Sequence, residues 1–96
     1  MANGVIIPKI LDHVKTLTLG TLSTTSTATA FTIDPNEVGS MALIGVTLVN
    51  SGGTYYVGAL DSRVSYCYMN SSKTNITINM TNLEMAGYTA YGHFIG

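Results

Sequence analysis

Apolar residues alternate with Thr, Ser and Asn along most of this 96-residue chain, a period of two that predicts strands rather than helices. In Lys15–Leu22, Leu17 and Leu19 alternate with Thr16 and Thr18. In Thr74–Met80, Ile76, Ile78 and Met80 oppose Asn75, Thr77 and Asn79, so this strand is expected to have one dry face and one wet one. The longest unbroken apolar run, Met41–Val49, differs. It places Met41, Leu43 and Val49 on one face and Ala42, Ile44, Val46 and Leu48 on the other. Neither face is expected to meet water, which predicts a central strand. Its β-branched residues, its mid-run Gly45 and the turn cluster Asn50-Ser51-Gly52-Gly53 directly after it argue against a buried helix.

The remaining segments follow the same rule. Thr27–Ile33 is Thr-rich and ends Phe31-Thr32-Ile33, and Asp34–Ser40 carries Pro and Gly where a turn wants them. Thr54–Leu60 returns from the central run as the second half of a hairpin. In Arg63–Met69, strict alternation puts Val64, Tyr66 and Tyr68 on one face and Ser65, Cys67 and Met69 on the other. Asn70–Lys73 is a further hairpin turn, Thr81–Gly87 a loop, and Gly87–Ile95 the last strand, with Tyr91 and Ile95 opposed to Tyr88 and Phe94. About seven short strands with regular turn signals and no alternating helices predict an all-β fold, a small antiparallel β-sandwich or jelly-roll-like barrel over residues 15–96.

Residues 1–14 break the pattern. Pro8–Val14 fits one or two helical turns with Ile10, Leu11 and Val14 on one side, and Val5-Ile6-Ile7 equally fits a short edge strand. The segment reads as an arm whose Val5, Ile6, Ile7, Ile10 and Leu11 dock on another surface, such as a neighbouring subunit.

Composition sharpens this picture. Hydrophobic residues make up 46% of the chain and charged residues 9%, against about 25% charged in an ordinary soluble protein. The missing charge is replaced by Ser, Thr, Asn and Gly, or lies on surface that another subunit covers. The net charge is −1 and the four cations, Lys9, Lys15, Arg63 and Lys73, are scattered. A nucleic-acid binder needs a basic stripe, so that class is excluded. The N-terminus lacks a secretory signal pattern and no run approaches a membrane span, so the chain is expected to be made in a cytoplasm and not inserted in a bilayer. A single cysteine, Cys67, rules out an intrachain disulfide; alternating with Ser65 and Met69, it reads as a reduced, partly buried thiol rather than an intermolecular bridge.

The chemistry-bearing residues are sparse. Asp12, Asp34, Glu37, Asp61 and Glu84 fall in turns or in the arm, where solvated turn residues are expected and a glycosidase pair is not. His13, His93 and Cys67 do not fill a zinc site in one chain; His93 near a threefold axis is the metal candidate, against the commoner exposed or hydrogen-bonded strand histidine. Neither Cys67 nor His93 stands in a nucleophile elbow, and 34–37 lacks calcium-loop spacing. Three Asn-x-Ser/Thr triplets, at Asn70, Asn75 and Asn79, read as polar strand and turn surface. No catalytic residue, metal ligand or cofactor site is assigned. The six tyrosines, set among Ser, Asn and Gly, suit either an adaptable binding surface or ordinary core and cross-strand pairs. On the binding reading, Asn50, Tyr55, Tyr56 and Asn70 face the ligand from one turn end of the sandwich.

The Leu43–Gly52 succession, with Gly-Val leading into Asn-Ser-Gly, the Ile-Thr-Ile strand ending in Thr81-Asn82, and the closing aromatic strand Tyr88–Ile95 resemble the small β-sandwich modules of bacteriophage virion surface proteins. Such modules occur in capsid decoration proteins, head fibres and tail-fibre tips. The resemblance covers about residues 41–95. It implies a non-enzymatic structural protein on the particle surface, a homo-oligomer and typically a homotrimer, docked to other virion proteins. The alternative it implies is a receptor- or glycan-binding module of a tail fibre. Starting at Met1 with an arm, the chain is expected to fit a decoration or head-fibre component better than a fibre tip.

Overall fold

The computed structural model describes residues 14–57 and 62–96. Seven strands form two antiparallel sheets: β1 (Val14–Thr21), β2 (Ala28–Thr32), β3 (Ala42–Val49), β4 (Tyr55–Val57), β5 (Val64–Met69), β6 (Asn75–Met80) and β7 (Thr89–Ile95). One sheet has the order β1-β7-β3-β4 and the other β2-β6-β5, so the chain crosses between sheets four times and turns back within a sheet only at the β3–β4 and β5–β6 hairpins. Of the two architectures the alternation allows, sandwich and jelly-roll-like barrel, the fold is the small all-β sandwich. Of the arm, only Val14 is described, and it opens β1. The docking residues Val5, Ile6, Ile7, Ile10 and Leu11 lie outside the described residues, as does the end of the Thr54–Leu60 strand beyond Val57.

The core is the dry face of each sheet. Val46, Leu48, Ala90 and Phe94 meet Phe31, Ile76, Ile78 and Met80 across the layer, all buried. Each fully buried Leu, Ile, Phe or Met contributes about 1.5–3 kcal/mol. The connections also contribute: Leu22, Val38 and Met85 are buried although none lies in a strand. Asp34–Ser40, expected as a turn, contains a single helical turn, α1 (Pro35–Val38), with Pro at its start and Asp34 accepting a 2.9 Å hydrogen bond from the Asn36 N–H. Thr81–Gly87 likewise holds a 3-10 turn, Leu83–Met85, capped by Asn82.

Two bulges overturn strict alternation. In β3 the register with β7 shifts between Leu43 and Gly45, so Ile44 is an extra residue. Leu43 then packs with Val46 and Leu48 against the core, while Ala42 and Ile44 are exposed. The expectation that neither face of this strand meets water is therefore corrected: one face does, because a bulge resets which residues point inward. β3 is nonetheless interior, between β7 and β4. In β5 a shift between Val64 and Tyr66 sends Val64 to the core with Cys67 and Met69, leaving Tyr66 and Tyr68 exposed. Val64 does not share their face.

Candidate functional site: a charge-free sheet face

The outer face of the four-stranded sheet is built from rows of cross-strand partners. Val14, Ile95 and Ala42 form the first row, Thr16, His93 and Gly45 the second, and Thr18, Tyr91 and Thr47 the third. Thr21, Thr89, Val49 and Tyr55 close the sheet at its far end. Large apolar side chains are exposed here: Val14 at 52%, Ile44 at 59%, Tyr55 at 71% and Ile95 at 47%. None of these residues is acidic, lysine or arginine. The outer face of the other sheet is uncharged too, with Tyr66, Asn79 and Ala28 in one row and Tyr68, Thr77 and Ala30 in the next.

The charged side chains of the described residues sit at the ends and margins instead. Lys15 bonds the Glu37 carboxylate at 2.8 Å and its carbonyl at 2.7 Å, pinning α1 to the start of β1. Lys73, in the left-handed region with φ 59°, donates to the Gly39 carbonyl. Arg63 lies over the Tyr56 ring at 4.3 Å from its centroid and 4.0 Å from the Glu84 carboxylate. Asp34 caps α1.

Among the described residues His93 supplies the imidazole of this face, and both of its ring nitrogens are engaged. Nδ1 is 3.1 Å from the Thr16 hydroxyl and Nε2 is 2.6 Å from the Thr47 hydroxyl. This is a hydrogen-bonded strand histidine, with neither ring nitrogen left open to a metal. Cys67 belongs to the core side of the opposite sheet, so the hydrophobic layer separates it from His93. Burial pushes the Cys67 thiol above its ordinary pKa, the reverse of what activates a nucleophile. Among the described residues no three His, Cys, Asp or Glu side chains are grouped as metal ligands.

The four residues expected to face a ligand do not make one surface. The Asn50–Gly53 turn follows β3, whereas the Asn70–Lys73 turn borders a cleft of about 500 Å3 lined by Ser40–Leu43 at the start of β3. The turns thus lie at opposite ends of an eight-residue strand. Asn50 is used within its turn, accepting from the Thr54 N–H at 2.9 Å. Asn70 accepts from Thr74 and Asn75 N–H and donates to the Thr74 hydroxyl. Tyr55 and Tyr56 are sequence neighbours on opposite faces: Tyr55 is exposed, while Tyr56 packs against the core with its ring 5.9 Å from that of Tyr88. The exposed aromatic pair is Tyr66 and Tyr68, with centroids 5.9 Å apart. Their i, i+2 spacing was the signal for a shared face; the bulge that separates Val64 from that face is invisible in sequence. The importance of Ile44 was hidden for the same reason.

A second open cleft, of about 410 Å3, lies between Val14, Lys15 and the 36–41 segment, and shares Ser40 and Met41 with the first. No family model matches the chain, and it matches no curated protein and no solved structure.

Proposed function

We propose that the chain is a non-enzymatic structural module of a bacteriophage particle surface, which assembles with its own copies and docks to other virion proteins through the outer face of its four-stranded sheet. The observation that carries the assembly reading is that face: exposed Val14, Ile44, Tyr55 and Ile95 on a surface without a formal charge. Burying such a face strands no ion, and apolar exposure of this kind marks contact surfaces. The fourteen face residues named above, at about 30 Å2 each, bury roughly 400 Å2 a side, so the face by itself suits a modest contact that a larger assembly reinforces. The sequence resemblance supports the virion setting and a trimer.

Light scattering coupled to size exclusion tests the reading. The parent chain is expected to elute as an oligomer, three copies by the resemblance, and Ile44→Lys to lower the mass while leaving the fold intact. Exposed substitutions usually move stability by about 0.5 kcal/mol or less. A parent chain that stays monomeric at every concentration would remove the basis for this function.

A further inference from the structure

Four strands form the edges of the two sheets: β1 and β4 in one, β2 and β5 in the other. Native sheets protect such edges with bulges, charges, proline or shortness, because unpaired backbone groups recruit other strands. Two of these edges carry such devices: β1 has Lys15 and a register shift between Thr18 and Gly20, and β5 follows Arg63 and contains the shift at Ser65; β4 is described only from Tyr55 to Val57. β2 has none of these devices: Ala28-Thr29-Ala30-Phe31-Thr32 pairs with β6 in unbroken register and contains no charge and no proline.

The hydrogen bonds flanking β2 show which of its backbone groups face outward. The Met80 N–H donates to the Thr27 carbonyl at 2.8 Å, and the Ile33 N–H donates to the Thr74 carbonyl at 2.9 Å. Thr27 and Ile33 continue the β2–β6 register at either end, an even number of residues apart. In an antiparallel ladder, residues bonded to one neighbour alternate with residues whose N–H and C=O point the other way. Thr29 and Phe31 therefore bond to β6, and Ala28, Ala30 and Thr32 turn their backbone groups to the free edge. The Ala28 N–H has a long 3.4 Å contact with the Ser26 hydroxyl. Among the described residues, nothing accepts from the Ala30 or Thr32 N–H.

We infer that β2 is a second contact between copies of this chain, pairing antiparallel with β2 of another copy about a twofold axis at Ala30. In that register Ala30 faces its own counterpart and Ala28 faces Thr32 of the other copy, so the outward groups of both strands satisfy one another. The side chains carried on the join's outer face are small and uncharged, which leaves neither a clash nor a like-charge opposition. A second copy is the occupant argued for because the edge is complementary to itself and neither copy brings a charge to the join. This contact goes beyond the face reading, because edge and face are different surfaces.

Amide hydrogen exchange followed by NMR, from micromolar to millimolar protein, tests it in the Ile44→Lys variant, where the sheet face is disabled. The Thr29 and Phe31 amides are expected to be protected throughout. The Ala30 and Thr32 amides are expected to slow about tenfold as concentration rises, with the mass approaching that of two copies. Ala30→Pro removes an N–H that the fold does not use, and proline is tolerated on a strand edge of this orientation. It is expected to abolish the concentration-dependent protection of Thr32 and return the mass to one copy, with the far-ultraviolet dichroism unchanged. Fast exchange at Ala30 and Thr32 at all concentrations would overturn the inference without touching the face reading. So would protection that survives Ala30→Pro, or that arises only when another protein is added.

Discussion

Gly20 shows how one residue carries constraints from two elements. It sits at the β1 bulge with φ +143°, and a Cβ there would lie 3.2 Å from two carbons of the Phe31 ring on the facing sheet. Gly20→Ala is expected to cost about 1–3 kcal/mol, read as a lowered midpoint in urea unfolding; an unchanged midpoint would mean that the ring moves aside freely. Cys67 gives a pH signature. Because burial raises its pKa, the folded thiol holds its proton to a higher pH than the unfolded one. Its contribution is fully present below the unfolded value and is lost as pH rises through the interval up to the folded value. The unfolding free energy should therefore fall more steeply with alkaline pH in the parent than in Cys67→Ala, and native Cys67 should react with a thiol reagent more slowly than the denatured chain at the same pH. The partly buried position of this residue was legible from its alternation with Met69. The clasp on His93 was not, since Thr16 and Thr47 lie far from it in sequence.

At the scale of elements, the dry face of β6 and the two hairpins could be read directly, because both depend on near neighbours in the chain. Asn70 locks the β5–β6 hairpin: its carboxamide oxygen accepts from Thr74 N–H at 2.9 Å and from Asn75 N–H at 3.1 Å. Asn70→Ala is expected to destabilise by about 1–3 kcal/mol, because it strips several bonds from a half-buried turn. Asn50 holds one such bond in its turn, so Asn50→Ala, measured by the same thermal melt, is expected to cost less. Equal losses would show that the extra bonds of Asn70 add nothing. Bulges escaped the sequence reading in β3 and β5 alike. A bulge is a mismatch between two strands, and β3 meets the partner that defines its mismatch, β7, almost at the other end of the chain.

For the molecule as a whole, the distribution of charge matters more than its amount. The six charged residues among those described lie at ends and margins, leaving both sheet faces neutral. Assembly through such a face has little Coulomb energy to screen. The oligomer mass is therefore expected to hold from low to high salt, a range over which the Debye length shrinks from about 30 Å to about 3 Å. Dissociation in high salt would point to ion pairs at the contact and against the neutral face. Ile44→Lys, by contrast, places a charge where the contact excludes water, and its effect on mass should be largest at low salt.

Alternation, turn chemistry and low charge by themselves determined an all-β fold of the sandwich or barrel kind, about seven strands, the β6 core face and a surface poor in ions. These follow from the pleat, which sends successive side chains to opposite faces whatever the strand pairs with. The tertiary structure alone decided where Ile44 and Val64 point, that the Asn50 and Asn70 turns lie at opposite ends, and that β2 is an undefended edge among the described residues. Each of these depends on register or neighbourhood between strands, which the spacing within one strand does not carry, and a one-residue shift in register reverses the face of every side chain beyond it.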